Sequence, residues 1–193
     1  MAVTVRKVLG ATAVLAVAGA IAGPMAMAQS RPPRVPPGEV AIPDVGKTST
    51  VTRTGLLRGL GPSPFAGARA TLVMVSHGAR SAVRLKVTGV GRAAAGRTYG
   101  AHLHTGPCVA GDGAAAGPHY NTDVLDGRKP PRVDRTREVW LDFTVTSSGS
   151  GTARTVVPFA PNPGDRSIVI HEHATDHHGV AGARLACLPV SWR

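Results

Sequence analysis

Between Arg69 and Val90 the chain reads RATLVMVSHGARSAVRLKVTGV, two runs in which apolar residues alternate with polar or charged ones, meeting at His77–Gly78–Ala79–Arg80. Successive side chains on a strand point to opposite faces, so each run can bury one face and leave the other in water. Gly78 suits the tight turn of a hairpin. The pattern recurs in STVTRTGLLRG, RTYGAHLHTG, SIVIHEH and ARLACLPV. EVWLDFTVTSSGSGTARTVVPF reads as a further hairpin with SSGSG as its loop. No good helical pattern appears between these runs, and Gly and Pro punctuate them. Seven or eight short strands at this spacing predict an all-β antiparallel sandwich or barrel. Two long loops interrupt the strands, at about 105–137 and 172–181, and loops of that length in a compact β domain usually carry function or disorder.

The first residues predict export. Arg6 and Lys7 precede an apolar run from Val8 to about Ala22, and AMA precedes Gln29, placing small residues at a cleavage site after Ala28. The run is short for a membrane anchor and lacks a basic flank beyond it, so the mature form is not expected to span a membrane. Residues 1–28 are thus read as a signal peptide. Residues 29–47, QSRPPRVPPGEVAIPDVGK, are Pro-rich without a period and read as a disordered tether. The folded domain is expected over 48–193. In an oxidising compartment the only two cysteines, Cys108 and Cys187, are most simply one disulfide. Closing so long a loop is worth about 4 kcal/mol.

The chain carries 22 Lys and Arg against 11 Asp and Glu, a formal net charge of +11; losing Arg6 and Lys7 with the leader would leave +9. Such a field attracts anions, either small substrates or polymers of the cell envelope. Nucleic acid is not expected, because there is no dense Lys/Arg run and few aromatic residues offer stacking.

The chemistry-bearing residues are the histidines. In AHLHTGPC, His102 and His104 lie at i and i+2, on one face of a strand, with Ala101 and Leu103 facing the core. Two such imidazoles can share a metal. His119 follows in GPHY. His171 ends the apolar run SIVIH, in which Val169 and His171 share one face and Ile168 and Ile170 the other. His173, His177 and His178 read as a solvated loop. Arg184, three residues before Cys187, would be held near the histidine loop by a Cys108–Cys187 bond, and a fixed guanidinium beside a metal suits a small anion.

HLH, then Cys108, GPHY, SIVIHE and AGARLAC, in that order over roughly residues 50–190, resemble the copper/zinc superoxide dismutases. The resemblance implies an eight-stranded antiparallel Greek-key β-barrel. It implies copper ligated by His102, His104, His119 and His171, a Cys108–Cys187 disulfide, and Arg184 as the anion-guiding arginine. It also implies disproportionation of superoxide to dioxygen and hydrogen peroxide, with His119 carrying a proton. One departure is plain. Where the family's zinc ligands follow the bridging histidine, residues 120–170 contain no histidine, only carboxylates such as Asp123, Asp126, Asp134, Glu138 and Asp142. Zinc needs a closed set of N, S or O ligands, so the sequence reads as a copper-only member. Glu138 and Asp142 are candidates to hold the freed nitrogen of His119, and Asp176 stands near the place of the acidic residue that links the two metal sites in the family. The alternatives are a non-enzymatic copper-capture protein on the same fold, using His171, His173, His177 and His178, or a metal-free envelope-adhesion module.

Overall fold

The computed structural model describes residues 46–193, so the leader expected over 1–28 and nearly all of the tether expected over 29–47 lie outside the described residues. The alternating runs become strands: β1 (Thr48–Leu56), β2 (Arg58–Gly59), β3 (Arg69–His77), β4 (Arg80–Thr88), β5 (Thr98–Tyr99), β6 (Ala101–His104), β7 (Phe143–Thr144), β8 (Gly151–Val157), β9 (Gly164–His171) and β10 (Arg184–Trp192). They form two four-stranded antiparallel sheets, ordered β1-β3-β4-β8 and β2-β10-β9-β6, and a short β5-β7 ladder. The β3–β4 hairpin turns at Gly78, whose φ of 54° is the left-handed conformation expected there. Inner faces meet in one core built on Phe65, Leu72, Leu85, Ile168, Ile170 and Leu188, each under 3% exposed. Among the described residues no helix is long and apolar enough to cross a membrane.

Residues 138–159 depart from the expected hairpin. The turn forms, with Thr146 N–H donating to Ser150 O at 2.7 Å. Its two arms, however, pair elsewhere. Phe143 and Thr144 join β5, while β8 pairs in register with β4. The stretch before β7 lies along β6, with Leu103 N–H donating to Val139 O and Leu141 N–H to Ala101 O. Pattern sets which residues face inward; it does not choose the partner strand.

Cys108 and Cys187 form a disulfide with their Cα atoms 5.6 Å apart, spanning 79 residues. With Ala116 and Val169 they make a small second core under the loop after β6. That loop folds back tightly: Gly106 N–H donates to Ala116 O at 2.7 Å. A Cβ on Gly106 would lie 2.2 Å from Ala115 O, so only glycine fits.

A candidate metal centre

His102 and His104 stand on β6, whose four residues are all buried, and Ala101 and Leu103 enter the core as the alternation requires. Pairing of β6 with β9 brings His171 alongside, and an isolated bridge sets His119 against His104. One ring nitrogen from each of His102, His104, His119 and His171 lies within 4.8 Å of all the others.

The hydrogen bonds of the outer nitrogens fix the tautomers. His104 Nδ1 faces Gly117 O at 2.9 Å and His171 Nδ1 faces Gly182 O at 3.2 Å. A carbonyl only accepts, so both Nδ1 atoms carry the proton. His119 Nδ1 likewise donates to Glu138 Oε2 at 2.9 Å. Thr175 Oγ1 gives its proton to Asp142 Oδ1 at 2.7 Å and therefore accepts from His102 Nε2, also at 2.7 Å. In every ring the inward nitrogen is left with a lone pair. His102 Nδ1 is buried with no partner at all. His104 Nε2 and His171 Nε2 face each other at 3.2 Å, lone pair to lone pair. Protonating one of them would give an ordinary hydrogen bond, but burial holds His104 down to about 2 and His171 down to about 4, against the carbonyl contacts that favour their charged forms. His102 is also pushed down, first by burial and then by the neighbouring imidazoles. Four converging ring nitrogens, three of them on the buried, neutral rings of His102, His104 and His171 and the fourth on the half-buried His119, fit a cation. The 3.2 Å gap is within the ~4 Å that two nitrogens each ~2 Å from one ion can span.

Outer partners are themselves anchored. Glu138, 3% exposed, also accepts from Trp140 Nε1 at 2.8 Å and Asn121 Nδ2 at 2.9 Å. Burial alone would raise its pKa; the three hydrogen bonds outweigh burial and hold it below the usual carboxylate range. Of the candidates weighed for His119, Glu138 holds it. Asp142 serves His102 through Thr175, whose N–H it also accepts at 2.8 Å. Asp176 links nothing between sites; it caps its own turn through His178 N–H and Val180 N–H. Thr175 was invisible in the sequence, one hydroxyl in a polar loop. It reaches the site because Gly100, between β5 and β6, has no Cβ, which would lie 2.9 Å from Thr175 Oγ1 and 2.7 Å from Ala181 Cβ.

Arg184 is aimed by a β-bulge in β10: it pairs with His171, and the next ladder pair is Ala186 with Ile170. Its guanidinium donates to Gly113 O and, at 2.7 Å, to Gly117 O, the carbonyl that also orients His104. His173, His177 and His178 stand in the exposed loop and do not join the four.

The loop after His119 is held without imidazoles. Asn121 caps the short helix Thr122–Leu125 and donates to Arg132 O at 2.7 Å. Asp123, 2% exposed, meets Arg132 Nε at 2.9 Å, Arg137 Nε at 3.1 Å and Arg128 Nε at 3.6 Å. The Arg132 hydrogen bonds, against the opposing effect of burial, hold Asp123 down to about 2 from its ordinary 3.8. A lowered carboxylate pKa gives stability that is full above about pH 4 and fades as pH falls toward 2. Asp123→Asn is therefore expected to lower the thermal midpoint at neutral pH, and the gap to wild type is expected to narrow below pH 4. An equal midpoint at pH 7 would remove the ion cluster from the loop's support.

The sequence profile described as Copper/zinc superoxide dismutase (SODC) matches residues 68–188, which includes all four histidines, both cysteines and Arg184. The chain belongs to the copper/zinc superoxide dismutase family. Among solved structures it is similar to the clock protein EA4, at 17% identity and a TM-score of 0.52, covering 76% of this chain and 95% of that one. A double mutant of a SOD-like protein from Bacillus subtilis matches at 18% identity and a TM-score of 0.49, covering 72% and 97%. At such identities the likeness to EA4 concerns the fold. No curated protein matches. The superoxide dismutase fold thus carries in this chain a histidine cluster able to bind a metal.

Proposed function

We propose that the protein is a secreted, copper-dependent superoxide dismutase with a single metal per chain. The observation carrying this is the convergence of four imidazole nitrogens, His102 Nδ1 and Nε2 of His104, His119 and His171, three on buried rings and one on the half-buried His119. All-imidazole donors suit copper. When bound, copper supplies one-electron chemistry, oxidising one superoxide to dioxygen and reducing the next, with two protons, to hydrogen peroxide. A second, zinc-type site does not fit: the Nδ1 of His119 already donates to Glu138, and Asp123 is tied by arginines. Export is supported by the leader-like first residues and by a disulfide, which persists in oxidising compartments.

The chain's own residues divide the work. Glu138 pins His119 through Nδ1 and leaves Nε2 as the place where a proton can be taken up and returned. Arg184 stands beside the cluster with its guanidinium fixed by two carbonyls, so its charge attracts an anion without an ordering cost at encounter. Capture or storage of copper would give no role to this arginine, and the exposed histidines of the 172–181 loop do not gather into a receiving site.

Metal analysis of protein expressed with copper and zinc supplied, followed by superoxide decay, tests the reading. About one copper per chain, little zinc and fast decay are expected; copper without decay would favour capture. Arg184→Ala is expected to be slower and less salt-sensitive, since fixed charge acts on encounter; a wild-type rate and salt slope would remove the guiding role. Glu138→Gln is expected to weaken copper affinity by about 10–100-fold, the cost of losing an outer partner of a ligating histidine. Chelator competition measures it, and an unchanged affinity would mean that His119 is held by something else.

A further inference from the structure

We propose that the outer face of the β1-β3-β4-β8 sheet is a docking surface for a linear, carboxylate-bearing polysaccharide. The face is built by register. Thr52, Val73, Arg84 and Arg154 form one row across the four strands, and Thr54, Thr71, Lys86 and Thr152 form the next. Arg84 and Arg154 are therefore direct cross-strand neighbours, with Lys86 two residues along from Arg84 on the same side. Like charges directly opposite on a sheet destabilise it. Among the described residues nothing relieves them: neither arginine nor Lys86 takes part in an ion pair there, and every Asp and Glu of that set lies between Asp112 and Asp176, on none of these strands. A sheet face that opposes unpaired cations is complementary to an anion placed between them.

The shape calls for an extended ligand. A groove of about 500 Å³ runs over Val73, Val75, Ala82 and Val156, between Arg84 and Arg154. A second, sharing Val73 and Arg84, continues over Thr71 and Lys86. A third, sharing Thr71 and Lys86, reaches Arg69 and Thr88. The track follows β4 from Ala82 to Thr88, about 20 Å at the strand rise. Threonine hydroxyls can meet sugar hydroxyls, and the shallow valines suit the C–H faces of sugar rings. Nucleic acid is disfavoured because these strands carry no aromatic residue for stacking. A lipid surface is disfavoured because the face projects no Trp, Phe or Leu beyond Leu56 at its corner.

The test uses polygalacturonate as probe, with neutral dextran, duplex DNA and phosphatidylglycerol vesicles as comparisons. Wild type is expected to bind polygalacturonate in preference to the other three, with affinity falling as salt rises. Arg84→Gln with Arg154→Gln is expected to bind about tenfold more weakly and with a flatter salt dependence. Lys129→Gln with Arg193→Gln, which removes equal charge elsewhere, is expected to bind as wild type. Polygalacturonate should raise the thermal midpoint of wild type and not that of the arginine pair variant. Equal losses in both variants would reduce the effect to net charge and overturn the proposal, as would tighter binding to DNA or vesicles. Copper content and superoxide decay are expected to be the same in all three proteins, so failure of docking is separable from failure of the enzymatic reading.

Discussion

His171→Ala is expected to lose copper while keeping the fold. The imidazole closes one side of the cluster, 3.2 Å from His104 Nε2, and its own Nδ1 is fixed by Gly182 O. Alanine leaves three lone pairs and a gap that water can enter. The loss in affinity should exceed the ~10–100-fold cost of disturbing an outer partner, because a direct donor is gone. The fold should survive, since β9 pairs with β10 and β6 through backbone groups and the core residues Ile168 and Ile170 are untouched. The metal-free variant should therefore unfold in one cooperative step near the metal-free wild type, while chelator competition separates the loaded forms widely. Superoxide decay should fall to the uncatalysed rate. Wild-type copper affinity in a folded His171→Ala protein would take His171 out of the ligand set and, with it, remove the geometric basis of the proposed function.

What could be read from the sequence and what could not follow from the range of each signal. His102 and His104 were legible because strand alternation is local: Ala101 and Leu103 must enter the core, so both imidazoles share the other face. The hairpin of β3 and β4 was legible for the same reason. The 138–159 segment misled because alternation is silent about partners: β8 could have folded onto the preceding arm and instead pairs with β4, while Phe143 and Thr144 pair with β5. The chain Asp142–Thr175–His102 was out of reach altogether. It joins residues 33 and 73 positions apart through a hydroxyl in a loop, and it depends on Gly100 leaving room. Arg184 could be placed near the histidines through Cys187, but its aim depends on a one-residue bulge that no pattern in ARLACLPV announces.

Cys108→Ala with Cys187→Ala is expected to lower stability by about 4 kcal/mol, on the order of 10 °C in thermal midpoint for a domain of this size. Alanine is the useful replacement because both sites are nearly fully buried and a serine hydroxyl there would lack a partner. The loss should not stop at stability. The bond ties the loop after β6 to β10, and that loop supplies Gly113 O and Gly117 O to Arg184 and Gly117 O to His104. Without the tie, Arg58 to Cys108 O, Arg166 to Thr105 O and the fold-back bond from Gly106 N–H to Ala116 O remain, but the covalent anchor of the loop to β10 is gone. Arg184 then loses its fixed position even though its charge remains. The double variant should accordingly show the shallow salt dependence of superoxide decay expected for Arg184→Ala, and adding Arg184→Ala to it should change the rate little, because both changes remove the same positioned charge. Full wild-type salt dependence in a folded, copper-loaded Cys108→Ala, Cys187→Ala protein would show that the arginine is positioned by the bulge alone and that the disulfide serves stability only.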